Sequence, residues 1–270
     1  MLIFAISHKI KLRFIMTRLQ KEFIDLLDEF GYDIFTVQMI KDCKRISTSK
    51  IHQAIRTLTK SGLLHKLERG KYIRSSFIDS NVIGSFLAPD GGIAYWSALN
   101  HHNLTEQFVN VVFVQSAKRR SEELIIENVR YKFIKIKPDK LIGYKELGYG
   151  NHRFKITDIE KTILDCFELP HLAGWYQEII KAFNNADINQ NKLIKYCKVV
   201  NNKSVIKRLG FLSEFLLKPN MKKFIEYAQS IVTKPYSLFE IDGETKGEYN
   251  SRWKLIINMP NDEILEIANS

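Results

Sequence analysis

A chain of 270 residues with 45% hydrophobic and 26% charged side chains, 13 Gly and 6 Pro has room for one large or two ordinary domains with real cores, which excludes low-complexity disorder. Its 41 Lys and Arg against 30 Asp and Glu leave +11 at pH 7, a balance that favours an acidic partner such as nucleic acid without identifying one. The excess is uneven: residues 1–80 carry 15 basic and 8 acidic side chains, residues 81–155 carry 11 and 7, and residues 156–270 carry 15 of each. That asymmetry points to the N-terminal part as the one that meets a polyanion.

Cys43, Cys166 and Cys197 are too few and too scattered for a disulfide framework, and no two have C-x-x-C spacing, so a reducing interior fits. No window approaches the roughly 18 uninterrupted apolar residues of a membrane span, and the chain is expected to be soluble. The opening MLIFAISHKIKLRFI is apolar first and basic second, the reverse of a secretory signal. Met16 starts a more ordinary segment, so residues 1–15 are either an over-long start or a flexible arm.

From Thr17, apolar Leu19, Phe23, Leu26, Leu27 and Phe30 recur at three- and four-residue steps and predict a first helix that Gly31 ends. A short second helix is expected through Thr36, Val37, Met39 and Ile40. The segment STSKIHQAIRTLTKSG predicts a third, capped by Ser47 or Thr48, with Ile51, Ala54, Ile55 and Leu58 facing inward and Gly62 as its stop. LLHKLERGKYIR then reads as two short strands around an Arg69-Gly70 turn.

Helix, helix, helix, hairpin is the order of a winged helix-turn-helix, expected over residues 16–80. Its third helix would enter the major groove, where each base pair shows its own donor and acceptor pattern. Ser49, Lys50, Gln53, Arg56, Thr57 and Lys60 lie on that helix's polar face, with Gln53 suited to adenine and Arg56 to guanine. Lys50, Lys60 and the wing residues Lys66, Arg69 and Lys71 are suited to phosphates, which supply salt-sensitive affinity without sequence information. The competing reading is a small helical domain with a merely solvated polar face.

After Ser75-Ser76 the pattern changes, and Ala88-Pro89-Asp90-Gly91-Gly92 supplies turn chemistry, so a boundary is expected near residues 80–90 and a second domain over 85–270. Ile93 to Leu104 reads as an amphipathic helix, VNVVFV as a strand, KRRS as a basic loop and VRYKFIKIK as a strand. ITDIEKTILDCFELP predicts a helix with Thr157 as cap and Glu160 completing a capping box, ended by Pro170. QEIIKAF, NKLIKYC, SVIKRLGFLSEFLL and MKKFIEYAQSIV read as helices and SRWKLIINM as a final strand. The fold class is therefore α+β: a winged helix-turn-helix followed by a mixed α/β domain that ends in a helical region.

The run GGIAYWSALNHHNLTEQ, the strand VVFV leading into KRR, ITDIEKTILDCFELPHLAG, KRLGFL and RWKLIIN, in order over roughly residues 85–258, resemble the motifs of the AbiEi family of bacterial antitoxins. One departure is Asn103 after His102, where Gly is common; Asn tolerates a left-handed backbone, so the turn can survive. The resemblance implies a type IV toxin–antitoxin system linked to abortive phage infection, in the bacterial cytoplasm and on its nucleoid. It further implies an autorepressor that binds inverted repeats in its own promoter as double-stranded DNA. The implied functional partner is an AbiEii-like nucleotidyltransferase toxin, neutralised through the C-terminal domain, generally without a stable complex.

No catalytic residue, cofactor or metal site is expected. Asp158, Glu160 and Asp165 sit close on one helix, but carboxylates in a first turn complement the helix dipole. His101 and His102 are adjacent rather than four apart and share no metal readily. Gly84-Ser85 resembles the start of a nucleotidyltransferase signature, yet no Asp-x-Asp follows. There is no phosphate loop of the G-x-x-x-x-G-K-[ST] type and no G-x-S-x-G elbow. Lys118, Arg119 and Arg120 form a second basic cluster, suited to phosphates or simply solvated. Two other functions stay open: an enzyme, for example a kinase, that modifies the toxin, and a lone winged-helix regulator with a ligand-sensing domain.

Overall fold

The computed structural model describes residues 16–107, 110–118 and 123–270, and the chain divides into one compact unit ending at Ile78 and another over Asp79–Ser270. In the first unit, α1 (Arg18–Glu29) opens on a capping box, with Thr17 Oγ1 accepting from Gln20 N and Gln20 Oε1 from Thr17 N. Phe23, Leu26 and Leu27 are its buried stripe, and full burial of each such side chain stabilises by roughly 1.5–3 kcal/mol. Gly31 at φ +63° closes the helix, and Tyr32 N returns to Leu27 O at 2.8 Å.

Next come β1 (Ile34–Thr36), α2 (Val37–Asp42) capped by Thr36 Oγ1, α3 (Thr48–Lys60), β2 (Leu64–Glu68) and β3 (Lys71–Arg74). The hairpin turns at Arg69-Gly70 as its sequence predicts, with Gly70 at φ +77°. The strands form one antiparallel sheet in the order β1-β3-β2. Strand β1 was not legible in the sequence: three residues are too few to show alternation, and its existence depends on β3 lying beside it. Phe23, Leu27, Phe35, Ile40, Ile51, Ile55 and Leu58 build the core of this unit.

The second unit runs α4 (Ser80–Leu87), β4 (Gly92–Ile93), α5 (Tyr95–His101), β5 (Val111–Ser116), β6 (Glu123–Ile126), β7 (Val129–Lys135), β8 (Tyr144–Leu147), β9 (Phe154–Thr157) and α6 (Ile159–Glu168). It continues through α7 (Trp175–Asn185), α8 (Gln190–Val200), α9 (Lys203–Phe215), α10 (Lys222–Ser230), β10 (Ser237–Leu238), β11 (Glu248–Asn250), β12 (Leu255–Ile257) and α11 (Asn261–Asn269). A mixed six-stranded sheet has the order β6-β7-β5-β4-β9-β8, and a small sheet the order β10-β12-β11. Central β5 is covered on both faces. Gly84 of α4 packs on Val112 and Val114, whereas Phe113 meets Tyr95 of α5 and Gln115 meets Asp165 of α6. A second apolar core joins α6–α11 to the small sheet around Phe183, Phe239 and Trp253. Helices and several sheets in sequence make the fold α+β.

Several local expectations are corrected. The helix expected over 93–104 is shorter, because Gly92–Ile93 pairs with both β5 and β9. Thr157 does not cap α6: it ends β9, and its hydroxyl lies 2.7 Å from that of Thr162. Asp158 is the cap, accepting from Lys161 N, and Glu160 turns away to accept from Asn189 N. Only Leu255–Ile257 of SRWKLIINM is strand, and α11 follows it. Among the described residues no helix is long and apolar enough to cross a membrane, and the three cysteines are free thiols.

Candidate nucleic-acid interface

On α3 the buried Ile51, Ala54, Ile55 and Leu58 occupy one side. At 100° per residue, Ser49, Gln53, Arg56 and Lys60 fall on the opposite side as a single stripe. All four are exposed, with exposed Lys50 and half-buried Thr57 along one flank. The Thr57 hydroxyl donates to the backbone carbonyls of Gln53 and Ala54, at 3.1 and 3.0 Å, so it has lone pairs but no proton for a partner. Ser47 stands at the N-cap without a side-chain cap bond, which leaves first-turn N–H groups directed at solvent or an anion.

Lys66 and Arg69 on the hairpin are exposed. Lys71 is half-buried and pairs with Glu68 at 2.8 Å, so much of its charge is already answered within the fold. Three further residues escaped the sequence reading. His52 is exposed on the other flank of the α3 stripe, and exposed Lys44 and Arg45 precede the helix. Lys44 has φ +54°, and Arg45 meets Glu29 at 3.2 Å. The basic segment KDCKRIS carried the signal, but as a connection it had no face to be assigned to. Of the second basic cluster, Lys118 is exposed after β5, while Arg119 and Arg120 lie outside the described residues.

The carboxylates that might have suggested catalysis are buried, and each is paired with a lysine. Lys192 Nζ donates to Asp158 at 2.8 Å and to Glu160 at 3.0 Å, and Tyr196 Oη donates to Asp158 at 2.8 Å. Deeper in, Tyr144 Oη donates to Gln115 Oε1 at 2.7 Å, Gln115 Nε2 donates to Asp165 at 2.8 Å, and Lys161 Nζ closes on the other Asp165 oxygen. Burial raises the Asp165 carboxyl above its ordinary range even with Lys161 beside it, and burial likewise lifts the Tyr95 and Tyr144 phenols. Such a network positions β5, β8 and α6 against one another.

The motif residues of the second unit act in the same way. His102 Nε2 donates to Thr157 O at 2.7 Å, and Asn103 follows at φ +56°, the left-handed turn that the Asn was expected to permit. Thr105 and Gln107 each donate to Glu178 at 2.7 Å, fastening the loop after α5 to α7. Ser85 Oγ accepts from Lys155 N at 3.0 Å, so Gly84-Ser85 serves helix-on-sheet packing. Among the described residues no group of His, Cys, Asp and Glu is placed to hold a metal.

No protein-family model matches the chain. No curated protein does so either. Among solved structures, the crystal structure of the RV2827C protein from Mycobacterium tuberculosis is similar, with a TM-score of 0.64 over 94% of this chain and 96% of that one. The two sequences are 13% identical, so the likeness is one of fold.

Proposed function

We propose that the first unit is a winged helix-turn-helix that reads duplex DNA with α3. The observation that carries this reading is the stripe Ser49, Gln53, Arg56 and Lys60, exposed on the face of α3 opposite its buried side chains, in a helix–strand–helix–helix–hairpin order. Gln53 and Arg56 read base edges, and Lys50, Lys60, Lys66 and Arg69 meet phosphates around them. On the motif resemblance, the chain acts as a type IV antitoxin of the AbiEi kind. In this reading it represses its own promoter at inverted repeats and counteracts a nucleotidyltransferase toxin through the second unit, with no catalytic group of its own.

The test is a mobility-shift series on the duplex upstream of the chain's own gene and on a scrambled duplex of equal length. Wild type should prefer the upstream site, and Gln53→Ala with Arg56→Ala should bind both alike. Replacing Lys66 and Arg69 by Gln should flatten the salt dependence by about one unit of slope per lost phosphate contact. Equal retardation of both duplexes by wild type would sink the base-reading assignment. Failure of the co-expressed chain to restore growth against the neighbouring nucleotidyltransferase would sink the antitoxin one.

A further inference from the structure

The second unit holds a group of cations that no carboxylate answers. Lys203, Lys207 and Arg208 follow one another over the first turns of α9, and exposed Lys234 and half-buried Lys254 flank the small sheet. Among the described residues none of the five forms an ion pair. Lys207 is only 4% exposed, and its Nζ donates to Pro235 O at 2.8 Å, while Arg208 donates to the carbonyls of Leu238 and Phe239. Burial together with the neighbouring Arg208 and Lys203 pushes the Lys207 ammonium below the ordinary lysine value. Buried charges normally have a counter-charge, and this one has carbonyl dipoles alone.

These bonds draw residues 235–239 onto α9, where Ser237 Oγ lies 3.0 Å from Ser204 Oγ. Leu238 pairs with Ile256, and so does Tyr249 on the opposite edge, so the three share one face of the sheet. Leu255 and Ile257 turn inward. On the outer side Tyr249 is 67% exposed and makes an edge-to-face pair with Tyr236, ring centroids 5.1 Å apart, while Lys254 Nζ lies 5.4 Å from the centre of the Tyr236 ring. Glu248, next to Tyr249, alternates to the other face of its strand. Exposed aromatic faces beside unanswered cations suit a polymer that offers flat rings and phosphates together. Single-stranded nucleic acid does so, because its bases are free to leave the stack, whereas a duplex keeps them inside.

We propose that this face of the second unit binds single-stranded nucleic acid, a base stacking on Tyr249 while phosphates meet Lys254 and Lys234, two residues before Tyr236. The site is separate from α3 and its ligand is different, so the two readings fail independently. The test uses the full chain carrying Gln53→Ala and Arg56→Ala, titrated by fluorescence anisotropy into labelled 12-nucleotide RNA and DNA single strands, with the matching duplex and heparin as comparators. Tyr249→Ala should weaken single-strand binding at least about fivefold, Tyr249→Phe should restore it, and Lys234→Gln with Lys254→Gln should lower the salt slope. Ultraviolet cross-linking should place the adduct at Tyr249. A Tyr249→Ala chain that binds single strands as tightly as its parent overturns the proposal, and so does equal weakening of heparin binding by that substitution. An unaltered melting temperature establishes that the exposed Tyr249 variants are folded.

Discussion

Gly210 and Trp253 share one volume: a Cβ on Gly210 would lie 2.2 Å from Cζ3 and 2.5 Å from Cη2 of the Trp253 indole. The ring is fully buried, and its Nε1 donates at 2.7 Å to Glu214, one turn further along the same helix. The missing side chain is thus a socket for the indole. Gly210→Ala should destabilise the second unit by about 1–3 kcal/mol through overpacking, although alanine is the better helix former. A urea midpoint that rises in the variant would show that the indole has room to move.

Lys161 and Asp165 form a pair in which both side chains are almost fully buried. Removing one partner leaves an uncompensated charge in the core, so Lys161→Met should cost about 3–5 kcal/mol. The double change Lys161→Met with Asp165→Leu should recover much of that loss, because neither product carries a charge. Chemical denaturation of the three variants checks it, and a double change as unstable as the single one would contradict the pairing.

Burial disfavours the charged form of His102. Burial pulls its pKa below the ordinary imidazole value of 6.5, against the opposing bond to Thr157 O and with the His101 charge adding to the depression. A folded pKa below the unfolded one means that the unfolded chain binds more protons in between. The associated stability is therefore present above about pH 6.5 and is lost as pH falls through the folded value. Thermal melts of wild type should worsen faster below pH 6.5 than those of His102→Gln, and parallel curves would refute the assignment.

Leu217 follows α9 at φ +49° and is 87% exposed, with Lys218 N returning to Ser213 O at 3.0 Å. That is the left-handed position that usually holds glycine at a helix end. Relieving the Cβ clash should let Leu217→Gly gain about 1 kcal/mol, offset in part by the unfolded-state freedom of glycine. A lower melting temperature in the variant would mean that the leucine makes contacts worth more than its strain.

The helices α1 and α3 were legible because their signals are local. Buried positions recur three and four residues apart, Gln20 answers Thr17 three residues away, and glycine waits at each stop. The polar stripe of α3 follows from the same arithmetic, and the Arg69-Gly70 turn is equally local. Where partners are distant, local pattern misled or was silent. Thr157 looked like the cap of α6, but pairing of β9 with β8 holds it in the strand, and the role passes to Asp158.

The amino-acid sequence by itself therefore determined where α1 and α3 begin and end, which side of α3 is polar, and where positive charge accumulates. Only the tertiary structure decided that Lys71 is answered by Glu68, that Asp158 and Glu160 belong to Lys192, and that Tyr236, Tyr249 and Lys254 gather on one small sheet. The reason is one of range. Caps, turns and helix faces depend on residues within about four positions, whereas a counter-charge or a shared sheet face depends on strand order and helix packing, which bring together residues that sequence spacing does not relate.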